Sequence, residues 1–298
     1  MPRKNNPNRG YFIFLLPGLI GLILIILLPF LATLLASFTK WNGVNPPVWI
    51  GFSNYERAIH DLKFWAAFRN NMVMILAVTV VPTILGLFVS VVLFDYISRK
   101  FKSSVAIFIK AALYIPQVLP VAIAGVVWKW ILNPNWGSLN TTLNAIGLDN
   151  LASNWLGDAT TALPTVMIIM VWFQIGYPLI IFMAALQRVD QEILEAAEID
   201  GANWFQKFIH ITIPQIRPEI FVVIVTTTIY ALKIFGQIYV LTRGGPGTAT
   251  IVPSYYTYQA LFEQANVGYG STIATFMTLI IILMTYFFIR LQVRQEIK

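Results

Sequence analysis

The sequence contains no cysteine, two histidines and only 11% charged residues among its 298. Without cysteine there is no disulfide framework, no thiolate nucleophile, no Cys-bound zinc and no iron–sulfur cluster. His60 and His210 have no partner at metal-ligand or triad spacing, so the reading assigns no catalytic residue, no metal and no cofactor. The phosphate cradle G-x-x-x-x-G-K-[ST] is missing as well. The one Gly-rich stretch, Gly244 to Gly247, has no lysine, which excludes ATP hydrolysis by that route. Soluble domains carry roughly 25% charged residues. With 57% hydrophobic side chains and a mean hydropathy of +0.71, this chain is an integral membrane protein.

Six stretches are apolar over the roughly 20 residues that a helix needs to cross a bilayer. They run over 11–38, 72–95, 104–132, 162–186, 219–241 and 270–291. The expected fold class is all-α transmembrane with six spans, forming one membrane domain over residues 1–298. The first stretch follows Arg3, Lys4 and Arg9 but is 28 residues long, well beyond the roughly 7–15 of a signal peptide's apolar core, so it reads as a retained span. With the N-terminus inside, twelve Lys and Arg residues fall on the cytoplasmic side and five outside. The inner group is Arg3, Lys4, Arg9, Arg99, Lys100, Lys102, Arg188, Lys207, Arg217, Arg290, Arg294 and Lys298; the outer one is Lys40, Arg57, Lys63, Arg69 and Arg243. That bias makes both termini cytoplasmic. It also accounts for the net charge of +7 without nucleic acid. Pro17, Pro29, Pro82, Pro116, Pro120, Pro164 and Pro178 lie inside spans, where each is expected to kink its helix. In lipid such breaks survive where protein or a watery cavity satisfies the freed backbone.

The stretch 187–218, between spans four and five, carries five of the chain's 13 acids: Asp190, Glu192, Glu195, Glu198 and Asp200. It reads as two short helices. Asp190 caps the first, and Gly201 ends it in the left-handed conformation. The second carries Phe205, Phe208 and Ile209 on one face at i, i+3, i+4. Pro214 and Pro218 then stop it and turn the chain into span five. A hairpin lying on lipid usually has a Lys/Arg-rich polar face. An acidic one on the cytoplasmic side points instead to a protein partner with basic residues.

Glu195-Ala196-Ala197, three residues, Gly201, nine residues, then Ile211-Thr212-Ile213-Pro214 resembles the EAA loop of ABC importer membrane subunits, with Ile213 where the family usually has Leu. Tyr11 to Gly18, Ser37 to Gly43, Val240 to Gly247, and Tyr258 with Phe262 extend the likeness to the maltose-type carbohydrate permeases, the first of their two unlike membrane subunits. The resemblance implies a six-span type I importer permease core in a bacterial or archaeal cell membrane. Its implied partners are a second permease subunit, a dimer of cytoplasmic ATP-binding subunits, an extracytoplasmic solute-binding protein and membrane lipid. It further implies that Glu195, Ala196, Ala197, Asp200, Gly201, Phe205, Ile211 and Pro214 dock the ATPase, and that carbohydrate import runs by alternating access without an ATPase site of the chain's own. Gly-Gly-Pro after Thr242 reads as a tight outer turn, where the resemblance puts the binding protein.

Thr226, Tyr230, Lys233 and Gln237 recur at i, i+4, i+7, i+11 in span five, one polar stripe of a helix. A charge within the membrane faces a protein interior or a cavity. Lys233 therefore either pairs with a neighbouring carbonyl, or it lines a solute cavity with the rest of the stripe, Tyr230 and Gln237 included as substrate-binding residues. Trp172 to Pro178 in span four joins rings, an amide and a helix break, and is either aromatic packing or a solute face. The resemblance favours Gly176, Tyr177, Thr227 and Tyr230 as substrate-facing. Lys129 between Trp128 and Trp130 reads as an interfacial anchor. The rival reading is an ion-coupled secondary transporter of a small polar solute. Such carriers often show internal repeats and mid-membrane acids, and neither is apparent.

Overall fold

The computed structural model describes residues 12–97 and 103–296. Arg3, Lys4, Arg9, Tyr11, Arg99, Lys100, Lys102 and Lys298 from the orientation and family readings lie outside the described residues. The chain divides into two compact units, residues 1–61 with 257–278 and residues 62–256 with 279–298.

In the first unit, helices α1 (Phe12–Gly21) and α2 (Leu28–Ala36) are joined by a widened turn, Leu22–Leu27. There the Leu28 N–H reaches the Ile23 carbonyl, one residue beyond the usual partner. Pro29 follows, and its missing donor is absorbed by this wider turn instead of a sharp kink. Strands β1 (Thr39–Lys40) and β2 (Val48–Trp49) pair antiparallel, Thr39 opposite Trp49, before helix α3 (Ser53–His60). Phe38 sits against Trp49, Phe52 and Tyr55 at ring separations of 5.4, 5.3 and 5.2 Å. The Asn54 amide donates to the carbonyls of Ser37 and Thr39, both at 2.9 Å. The Ser37-to-Gly43 motif thus ends the first span by tying down its carbonyls. Gly268 crosses this corner so closely that a Cβ on it would lie 1.9 Å from the Thr39 oxygen.

The second unit starts with α4 (Leu62–Val91), ten residues earlier than the 72 expected for span two. The amphipathic first turns carry Phe64, Ala67, Asn70 and Asn71 inward. Span three is not one straight helix. It divides into α5 (Ser103–Val118) and α6 (Val121–Ile131), bent by 101° at Leu119–Pro120. Pro120 has no N–H to donate, and it forces the residue before it out of the helical region. Span four runs as expected, through α7 (Ala162–Gln174) and α8 (Gly176–Leu186). In the loop before it, Asp158 accepts from the Thr160 N–H at 2.8 Å and hydroxyl at 2.7 Å, which holds its carboxyl below the ordinary range. Gly86 lets α4 meet α8, since a Cβ there would lie 2.7 Å from the Pro178 ring. Then come α9 (Gln191–Ile199), α10 (Trp204–Lys207), α11 (Arg217–Leu232), α12 (Gly236–Leu241) and, beginning in the first unit, α13 (Val267–Glu296). Among the described residues, four helices are long and apolar enough to cross a membrane, or up to six if each bent pair, α5–α6 and the Trp204–Gln215 segment with α11, is one span.

Gly268→Ala is expected to destabilise the protein by about 1–3 kcal/mol or more, because backbone has to move to admit the methyl group. A melting temperature equal to wild type in detergent would contradict the close crossing.

Candidate functional site

The hairpin begins where the sequence puts it. Asp190 caps α9 by accepting the Glu192 N–H at 2.9 Å. Gly201, at φ +81°, ends it, with the Ala202 N–H returning to the Ala197 carbonyl at 2.9 Å. Asn203 and Gln206 form a reciprocal cap on α10. An ion pair of 2.9 Å between Lys207 and Glu198 ties the two helices together.

The second helix departs from the expected pattern. Phe208 turns inward and stacks on Trp204 at 5.3 Å, whereas Phe205 is 63% exposed and Ile209 is exposed with it. From Phe208 to Thr212 the turn is widened, so that the Ile213 N–H reaches the Phe208 carbonyl. As before Pro29, this wider turn precedes a proline, Pro214, which therefore continues the helical path to Gln215 instead of stopping it. The chain bends only at Ile216, by 69°, and Pro218 lies in the first turn of α11.

Beneath the hairpin, Val91 of α4, Ala185 and Leu186 of α8, Val189 and Ile216 form one buried cluster, against which Leu194 and Phe208 pack. Arg188 pairs with Glu219, and the Asp190 N–H donates to the Gln215 side chain at 3.1 Å. The hairpin is thus keyed to three membrane helices at once. A cleft of about 780 Å³ opens beside it, lined by Val92, Phe94, Leu194, Glu195, Glu198 and Trp204 among others. Glu195, Ala196, Asp200, Gly201 and Pro214 are exposed, while Ala197 and Ile211 are half-buried. Ile193 and Ile199 are exposed too, Ile199 at 88%.

The second candidate region is span five, expected as one helix over 219–241. Instead α11 ends at Leu232, and Lys233 to Phe235 run outside helical geometry before α12. Two side chains satisfy the opened backbone. Asn71 donates to the Ala231 carbonyl at 3.0 Å, and the Ser254 hydroxyl bonds the Ile234 carbonyl. Asn70, its neighbour on α4, donates to the carbonyls of Thr248 at 2.9 Å and Ile251 at 3.0 Å. It thereby fastens the Gly244–Gly247 turn, where Arg243 and Gly244 have positive φ. The sequence reading missed both amides, because it began span two at Met72. Two adjacent asparagines at the head of an apolar run were the available signal.

The chain matches, over residues 83–297, the family described as "Binding-protein-dependent transport system inner membrane component". It belongs to that family. It is 35% identical to "Probable ABC transporter permease protein YurN" of Bacillus subtilis (strain 168), across 90% of this chain and 91% of that one. "Probable starch degradation products transport system permease protein AmyD" of Thermoanaerobacterium thermosulfurigenes is 29% identical, across 97% and 95%. A chain of a bacterial ABC transporter involved in the import of the acidic polysaccharide alginate superposes with a TM-score of 0.82 at 22% identity, covering 95% of this chain and 94% of that one, and so shares its fold.

In the permease, the expected stripe divides. Thr226, Tyr230 and Lys233 are exposed on the surface of the chain, while Gln237 is buried and spans the break by donating to the Tyr230 hydroxyl at 2.6 Å. Thr227 is fully buried and bonded to the Val223 carbonyl at 2.8 Å. It lies beside Thr228, whose hydroxyl meets Thr79 of α4 at 3.4 Å. Its place is in the helix interface, away from the stripe. Gly176 differs in the same way. A Cβ on it would lie 2.8 Å from both the Leu113 oxygen and the Tyr114 Cα, so it serves the close crossing of α5 and α8. Tyr177 next to it is half-buried. Trp172 meets Trp128 edge to face at 5.4 Å, so aromatic packing accounts for this part of span four.

Gly176→Ala is expected to lower the melting temperature of the purified permease, through about 1–3 kcal/mol of overpacking. Unchanged stability with impaired transport would restore Gly176 as a solute contact.

Proposed function

We propose that this permease is one of two membrane subunits of an importer that carries a carbohydrate into the cell, with ATP hydrolysed by separate subunits. In this reading both termini and the hairpin face the cytoplasm, which the distribution of Lys and Arg supports. The observation that carries the reading is the hairpin itself. Its outer surface combines acids, Glu195 and Asp200, with uncovered apolar groups, Ile199 and Phe205, while its inner surface is keyed into the ends of α4, α8 and α11. Exposed apolar groups rimmed by charge suit a protein partner. The buried cluster then passes a displacement of that partner to three helices together, because packed interiors move as blocks and do not deform continuously.

Carbohydrate as the solute is supported by the names of relatives, starch degradation products among them, and by the alginate importer that shares the fold. The exposed Thr226–Tyr230–Lys233 side of span five is the proposed solute face, completed by the second permease subunit. A solute-binding protein delivers the sugar from outside, and the Gly244–Gly247 turn is proposed as its contact. Alternating access is the proposed mechanism. When the ATPase subunits close, the hairpins are drawn together and the path opens outward; when they part, it opens inward.

Replacing Glu195 by alanine is expected to cut ATP-driven sugar uptake in proteoliposomes of the whole complex by about tenfold or more, by removing a charge-assisted contact to the ATPase. Wild-type uptake in that variant would argue against docking on this hairpin and revive a carrier that works alone.

A further inference from the structure

Lys233 places a cation at the break in span five. Lys233 is exposed, and among the described residues its ammonium makes no ion pair or hydrogen bond. The backbone opened around it is already satisfied, the Ala231 carbonyl by Asn71, the Ile234 carbonyl by Ser254 and the Tyr230 carbonyl by the N–H of Lys233 itself. The ammonium is therefore not needed to hold the break together. Nor does the sequence offer an acid to neutralise it. No Asp or Glu occurs between Glu219 and Glu263, and none lies in 62–94, 103–131 or 162–186 of the same unit. Glu219 itself pairs with Arg188.

What Lys233 shares its surface with narrows the choice of ligand. The Tyr230 oxygen already accepts from Gln237, so its proton is left to donate outward. The Thr226 hydroxyl spends its proton on the Val222 carbonyl at 2.7 Å. The surface therefore presents one cation and one outward O–H donor, with no carboxylate to receive the hydroxyl protons of a neutral sugar. A cation in an apolar setting costs from about 2.5 to over 10 kcal/mol, which favours a site that gains an anion when loaded. We infer that Lys233, together with the Tyr230 hydroxyl, selects a sugar bearing a fixed anionic group: a carboxylate, sulfonate or phosphate. The inference rests on the importer reading above and deepens it.

The test is ATP-driven uptake by the complete transporter in proteoliposomes with its own binding protein. Maltotriose, trigalacturonate and a glucoside 6-phosphate serve as probes. Uptake of trigalacturonate or the phosphorylated glucoside in preference to maltotriose is expected. Lys233→Gln is expected to lower the ratio of anionic to neutral uptake by about tenfold or more, with Lys233→Arg retaining it, since the lost contact is a charge-assisted one. ATP-driven uptake of maltotriose alone would overturn the inference and leave the importer standing. An equal loss of every sugar in Lys233→Gln would also overturn it, by making the lysine an ion-pair partner of the second permease. Absence of ATP-driven uptake of all three probes by the wild-type complex would remove the importer reading and this inference together.

Discussion

Backbone polar groups withdrawn from water have to be bonded within the protein, and every departure from straight helix in this permease is shaped by that demand. The sharpest case is the opening after Leu232. Asn71 of α4 bonds the Ala231 carbonyl there and Ser254 the Ile234 carbonyl, while Asn70 beside it holds the carbonyls of Thr248 and Ile251 at the Gly244–Gly247 turn. Such bonds spare the backbone the cost of burying an unpaired polar group, about 1–3 kcal/mol for each. With them, span five can depart from helical geometry at the place where its polar side chains gather. Local irregularity and candidate site are two consequences of one arrangement.

Proline is accommodated by a related device. Before Pro29 and before Pro214 the helix widens by one residue per turn, and the carbonyl that proline cannot bond is passed along the ladder. Where the turn of the hairpin begins to widen, Phe208 packs beneath the hairpin while Phe205 and Ile209 stay on its outer surface. The same short segment thus supplies an anchor to the membrane helices and an apolar surface for a partner. Gly86 and Gly176 show the complementary economy. Each is a glycine because another backbone or ring passes within reach of where its Cβ would be.

Much of this was legible in the residues. Apolar run length located all of the membrane-crossing segments, and 162–186 matched to the residue. The Asp190 cap and the Gly201 turn followed from local chemistry, because caps and left-handed turns depend on neighbours within four residues. The EAA spacing and the maltose-type likeness agree with the family to which the chain belongs. Less legible were Asn70 and Asn71, which look like loop residues until their distant carbonyl partners are known. For Gly176, Thr227 and the aromatic run of span four, packing and binding draw on the same residue types, so the residues alone could not separate the two.

The sequence by itself determined what depends on composition and on near neighbours: a membrane chain of helices, its cation bias, the capped acidic hairpin, and a lysine among the polar residues of its fifth span. The tertiary structure decided which of those features meet. It bent span three by 101°, opened span five at Lys233, buried Thr227 and Gly176 in helix crossings, and left Tyr230 and Lys233 on the surface. The physical reason is the range of the interactions. Propensity, capping and hydropathy act within a turn or a span, whereas the carbonyl that Asn71 bonds lies 160 residues away, and only the folded chain brings the two together.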